Sequence, residues 1–128
     1  VKQYILNKKG NLYTLDVLLQ IGNIRRKQNL IVDTGASKTI ISRFTIEAMG
    51  YDILETKKFQ RFVTASGTAE APMVCVDKFF CLGKQIDNYE VVAYDLPRES
   101  LVNGLLGMDF MTMFDISIST KNGTVIVK

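Results

Sequence analysis

The chain has 128 residues, 47% of them apolar, with 16 Lys and Arg against 13 Asp and Glu and a formal net charge of +3. That is one domain, residues 1–128, with enough apolar side chain to fill a core, and the short basic clusters Arg25-Arg26-Lys27 and Lys57-Lys58 lack the interleaved aromatics of a nucleic-acid surface. There is no histidine, which excludes Ser-His-Asp and Cys-His catalysis in their usual forms and every His-containing metal site.

Both basic clusters read as solvated turns, leaving a nucleic-acid partner as the weaker alternative. No apolar run approaches the ~18 residues of a membrane span, and no signal-peptide pattern opens the chain. The start at Val1 suggests a processed product or a domain excised from a longer protein. Cys75 and Cys81 are too few for a disulfide scaffold. They read as buried free thiols, pointing to a reducing, cytoplasmic compartment.

Val1 to Asn7 is the first expected strand, ending in a Lys8-Lys9-Gly10 turn. From Leu12 to Ile21 the alternation predicts a half-buried strand, with Leu15, Val17, Leu19 and Ile21 inward and Thr14, Asp16 and Gln20 outward. After a Gly22-Asn23 turn, Gln28 to Val32 forms the next strand and runs into Asp33. Ile40-Ile41 resume the extended pattern. Ser42 then suits a helix N-cap and Gly50 a stop, with Phe44, Ala48 and Met49 turned to the core.

A polar connection, Tyr51 to Phe59, leads to two arms, Phe59 to Thr64 and Ala71 to Val76. These flank Ala65-Ser66-Gly67-Thr68-Ala69-Glu70 and read as a long hairpin. Phe79 to Leu82 and Glu90 to Tyr94 are further strands, followed by a loop from Pro97 to Asn103. Gly104-Leu105-Leu106-Gly107 precedes a short helix, Met108 to Phe114, whose methionines read as core packing. Asp115 to Thr120 and Thr124 to Val127 flank Asn122-Gly123, a strong hairpin signal. About eight short strands with regularly spaced turns predict a mainly β fold, a small barrel or sandwich with two short helices.

The chemistry concentrates at Leu30-Ile31-Val32-Asp33-Thr34-Gly35-Ala36-Ser37. An apolar strand delivers one carboxylate into a Thr-Gly turn. A carboxylate can bind metal, accept a phosphoryl group or act as a general base. The metal reading lacks local ligands. The phosphoryl reading wants a second acid where Gly35 stands, and a strand-helix scaffold. The general-base reading needs a partner, because two carboxylates in contact share one proton and then act as acid and base together. Asp109 and Asp115 lack the Thr-Gly context. The simplest twin is Asp33 of a second copy across a two-fold axis.

Asp33-Thr34-Gly35-Ala36 resembles the signature of the retropepsin-like (retroviral-type) aspartic proteases. Leu105-Leu106-Gly107, about seventy residues on, resembles their apolar-apolar-Gly motif, and the Ser66-Gly67 hairpin lies between, where that family keeps its flap. The likeness runs from about Leu12 to Val127 and fits one subunit, not a double-length pepsin. It implies a closed acid-protease barrel, a single pepsin-like lobe, acting as an aspartic endopeptidase on a polypeptide through a homodimer, with no metal or organic cofactor. Asp33 would be the catalytic acid/base, with Thr34, Gly35 and Ala36 supporting it. Ala65, Ser66 and Gly67 would close over the substrate. Ser37 gets no role beyond a local turn hydroxyl. Retroviral chain ends interleave into a dimer sheet, whereas the hairpin Asp115 to Val127 is longer than the family's terminal strand. The competing reading is a catalytically inactive, dimerising peptide-binding domain of the same fold.

Overall fold

Strands with one apolar face have to bury it, and here they do so by curling into a ring. A computed structural model describes residues 1–64 and 66–128. β1 (Lys2–Ile5), β2 (Asn7–Lys9), β3 (Leu12–Ile21) and β4 (Ile24–Val32) lead to Asp33, and β5 (Ile40–Ile41) leaves it. The helix α1 (Arg43–Ala48) is followed by β6 (Phe59–Thr64), β7 (Gly67–Cys81) and β8 (Lys84–Ala93). β9 (Gly104–Leu106), the one-turn helix α2 (Met108–Met111), β10 (Ile116–Ser119) and β11 (Thr124–Val127) complete the chain. Hydrogen-bonded neighbours run β2-β3-β4-β9-β5-β8-β7-β6, and a β3–β7 pairing closes β3-β4-β9-β5-β8-β7 into a ring. The expected small closed barrel with short helices is thus the observed architecture.

Leu19, Leu30, Ile41, Phe79, Leu106 and Phe110 fill the barrel with no accessible surface. Phe79 is the hub, its ring 4.7 Å from Tyr89 and 5.8 Å from Phe110. The methionine periodicity after Gly107 stops at one turn, and Phe110 rather than a methionine is the deepest anchor there.

Several local expectations are corrected by pairing that no single segment contains. The first strand breaks at Leu6, whose side chain is buried and whose N–H donates to the Gly123 carbonyl at 2.8 Å. The chain switches sheets there: β1 pairs with β11, whereas β2, including Lys8 and Lys9, pairs with β3. Arg25-Arg26-Lys27 lies in β4 instead of a turn, because the tight Gly22-Asn23 connection keeps β3 and β4 paired back to Ile21↔Ile24. The strands expected at 71–76 and 79–82 are one, β7, which pairs with β6 at its start and β8 over the rest. Asp77 interrupts the apolar pattern because its Oδ2 accepts the Gly22 N–H at 2.6 Å.

Thr14, expected outward, is fully buried, and Cys75, expected buried, is exposed, while Cys81 is buried. In α1 the buried residue is Ile46, and Met49, just past the helix, is buried as expected; Phe44 is 75% exposed and Ala48 is also exposed. Ser42 sits at the N-cap position without capping. Its hydroxyl donates to Asp95 Oδ1 at 2.8 Å, and that same oxygen accepts the Phe44 N–H at 3.2 Å. The cap therefore comes from a residue distant in sequence.

β11 lies between β1 and β10 of its own chain. The first and last strands are therefore paired with each other within one copy.

Burial pushes the Cys81 thiol and the Tyr89 phenol well above their ordinary ranges. Each is neutral when protonated, so above about pH 9 the unfolded chain loses these protons first. Stability is fully present below that pH and falls as pH rises further. Urea midpoints should drop from pH 8 to pH 11, and Cys81→Ala should flatten the early part of that fall.

Candidate active site

The site is built where one strand passes through the gap between two others. β9 runs parallel to β4 (Leu30↔Gly104, Ile31↔Leu105, Val32↔Leu106) and antiparallel to β5 (Ile40↔Leu105, Ile41↔Gly104). The segment joining β4 to β5, residues 33–39, must therefore close around the end of β9. Asn103 sets the register at the start: it exchanges bonds with Asn29 (N–H to Asn29 O, 2.8 Å; Asn29 N–H to its Oδ1, 2.9 Å) and accepts the Ser42 N–H at 2.8 Å. At the far end, Asp33 N–H donates to Leu106 O at 3.0 Å and Met108 N–H to Ala36 O at 2.8 Å.

Glycine at both ends of this strand is a steric requirement. A Cβ on Gly104 would lie 1.9 Å from the Ile40 carbonyl oxygen, and one on Gly107 would lie 2.6 Å from the Lys38 carbonyl carbon. Both obstacles are backbone, which cannot rotate away.

Asp33 sits half-buried at the resulting turn. Its Oδ1 accepts the Gly35 N–H at 2.9 Å, and its carbonyl accepts the Ala36 N–H at 3.2 Å. A Cβ on Gly35 would press to 3.2 Å from Asp33 Oδ1, so this glycine keeps the carboxylate's approach clear. Thr34, Gly35 and Ser37 are exposed, and Ala36 is half-buried.

Asp33 opens into a cleft of about 750 Å³. Ile40, Phe62, Val92, Tyr94 and Leu105 make its apolar wall, continuous with a small buried cluster of Ile40, Ala71, Met73 and Val92. Phe62 meets Tyr94 edge-on at 5.0 Å. The polar lining is Asp33, Ser37, Lys38, Gln60, Arg61 and Ser66. Depressions of 550 and 390 Å³ elsewhere share no lining residue with it.

The hairpin of β6 and β7 borders the cleft, and its last described pair is Thr64↔Gly67. Of the expected flap residues, Ser66 lines the cleft, Gly67 begins β7 with φ +129, and Ala65 lies outside the described residues. Asp33 is the sole acid among the described lining residues, and no cluster of potential metal ligands occurs among the described residues.

Beneath the turn is a polar hub that sequence reasoning missed. Thr39 is fully buried. Its Oγ1 donates to Asp109 Oδ1 at 2.8 Å, accepts the Gly107 N–H at 3.1 Å, and lies 3.2 Å from Tyr89 OH. A hydroxyl has one proton; it goes to Asp109, so Tyr89 is the donor in the third bond. Burial, with the Asp109 charge adding to it, raises the Tyr89 pKa and keeps that phenol a donor. Asp109 is therefore a brace for the turn, in keeping with its rejection as a twin for Asp33. A lone acid inside the apolar run from Leu105 to Phe114 was the available signal.

The aspartyl protease family matches residues 17–110. A retropepsin-like aspartic protease from Rickettsia conorii is similar in structure, with a TM-score of 0.73 and 22% identity over 98% of this chain and 89% of that one. The EIAV protease complexed with the inhibitor HBY-793 is similar with a TM-score of 0.62 and 20% identity, over 88% of this chain and 93% of that one. No curated protein matches the chain in sequence.

Gly104→Ala and Gly107→Ala should each destabilise by about 3 kcal/mol or more, since only backbone displacement relieves the clash. Thr39→Val leaves the Gly107 N–H and the Tyr89 hydroxyl without their partner and should cost about 2–3 kcal/mol, against about 1 for Tyr89→Phe. Denaturant titration reads both comparisons, and a Thr39→Val loss no larger than that of Tyr89→Phe would remove Thr39 from the centre of the hub.

Proposed function

The chain belongs to the aspartyl protease family, and on that premise we propose that it is an endopeptidase whose two catalytic carboxylates are Asp33 from each copy of a homodimer. One observation carries this reading: the cleft beneath the hairpin contains Asp33 and, among its described lining residues, no second acid. A single carboxylate cannot act as acid and base at once. Exposure of Thr34 and Gly35 leaves the turn accessible to an identical turn.

In the dimer the two carboxylates share a proton. The ionised one takes a proton from water, whose oxygen attacks the scissile carbonyl carbon, while the protonated one gives its proton to the carbonyl oxygen. The tetrahedral gem-diol then collapses: one of its hydroxyls gives a proton to the ionised carboxylate as the C–N bond breaks, and the protonated carboxylate gives its proton to the leaving nitrogen, so the dyad again holds one shared proton. Gly35 orients Asp33 through its N–H and leaves room for substrate. Thr34 bonds across the dimer axis, and Ala36 lines the floor. Ser66 and Gly67, with Ala65, close over the peptide. The substrate lies extended and pairs through its main chain; β6, an edge strand bordering the cleft, suits that kind of strand addition.

Asp33→Asn should abolish cleavage of a denatured protein substrate while leaving the fold intact. Below the dimer dissociation constant, activity of the unaltered protein should fall with the square of its concentration. A peptide with a central hydroxyl, mimicking the tetrahedral state, should bind at least about a hundredfold more tightly than the plain peptide. Peptide binding indifferent to that hydroxyl, with no turnover, would instead establish the inactive binding domain.

A further inference from the structure

The lining of the cleft carries a charge imbalance that hydrolysis itself does not use. Its described residues include one acid, Asp33, and two cations, Lys38 and Arg61. Arg61 stands opposite Glu70 in the β6–β7 ladder, with its guanidinium 3.9 Å from that carboxylate. Lys38 differs. It is half-buried, and among the described residues it is in no ion pair and no side-chain hydrogen bond.

The position of Lys38 is also fixed. Its carbonyl carbon would be 2.6 Å from a Cβ on Gly107, so its backbone is pressed against the end of the crossing strand, and the next residue is the buried hub Thr39. The ammonium stem thus starts from a rigid point beside the wall formed by Ile40, Val92 and Leu105. A cation beside apolar walls and without a partner gains more from an incoming carboxylate than an exposed, already paired one does.

We propose that the cleft selects extended peptides carrying an acidic side chain next to apolar ones, and that Lys38 is the specificity-determining residue that reads the acid. The inference rests on the cleft being the substrate site of the proteolytic reading. In a two-fold dimer both copies of Lys38 flank the scissile bond, so the acid is read on either side of it.

The test compares peptides identical except for Glu or Gln, with that position scanned through those flanking the scissile bond. Binding to the Asp33→Asn protein is followed by fluorescence anisotropy, and cleavage is followed with the unaltered protein. At one or more positions Glu should be preferred by about tenfold at low salt, with the preference shrinking as salt rises. Lys38→Gln should remove the preference and Lys38→Glu should invert it, whereas Arg61→Gln should retain most of it.

Equal treatment of Glu and Gln by the unaltered protein overturns the inference without any variant, as does a preference that survives Lys38→Gln or depends on Arg61 alone. Charge-dependent binding without cleavage would end the proteolytic reading and keep this one. Cleavage blind to the charge would do the reverse, and neither binding nor cleavage would end both.

Discussion

The passage of β9 between β4 and β5 is the constraint on which the site depends. A strand can lie that close to the backbone of residues 36–41 only if it carries no side chain at the two points of contact, and Gly104 and Gly107 meet that condition. Once β9 is in place, the turn that carries Asp33 has little freedom. It is tied to Leu106 and Met108 by main-chain hydrogen bonds, and its carboxylate is aimed by the Gly35 N–H. Orientation of the Asp33 carboxylate is thus a consequence of backbone packing, which does not depend on a rotamer being held by neighbouring side chains.

A polar hub inside a barrel of aliphatic and aromatic side chains would be costly if any member were unpaired. Thr39 avoids this by using its hydroxyl fully, as donor to Asp109 and acceptor from Gly107 and Tyr89. The bonds join three elements: the exit from the Asp33 turn, β8 and the start of α2. Directional bonds at this point specify one register where apolar contacts alone would tolerate sliding. Phe79, fully buried in the core, packs on Tyr89 and so supports the hub from the apolar side.

The cleft joins two environments with different jobs. Its apolar wall continues into the small cluster under the hairpin, a surface suited to apolar side chains. Its floor carries Asp33 and Lys38, both launched from the rigid turn. Because the hairpin is an extension of β7, which also pairs with β3 and β8, the upper border of the cleft is anchored in the barrel itself. The terminal sheet joins β1, β11 and β10 of one copy, so the first and last strands are held by their own pairing.

The mainly β class, the strand entering Asp33, the hairpin around Ser66 and the closing Asn-Gly hairpin were all legible in the sequence, because alternation and turn chemistry are local properties. So was the pairing of Asp33-Thr34-Gly35-Ala36 with Leu105-Leu106-Gly107 as one ordered signature. What the tertiary structure alone decided was everything that depends on which strands meet. It placed Thr39 beside Asp109 and Tyr89, made Asp95 rather than Ser42 the cap of α1, merged two expected strands into β7, and left Lys38 without a carboxylate among the described residues. Residues far apart in the chain become partners only when the ring closes, and a sequence pattern records the face a residue prefers but not the neighbour it will find there.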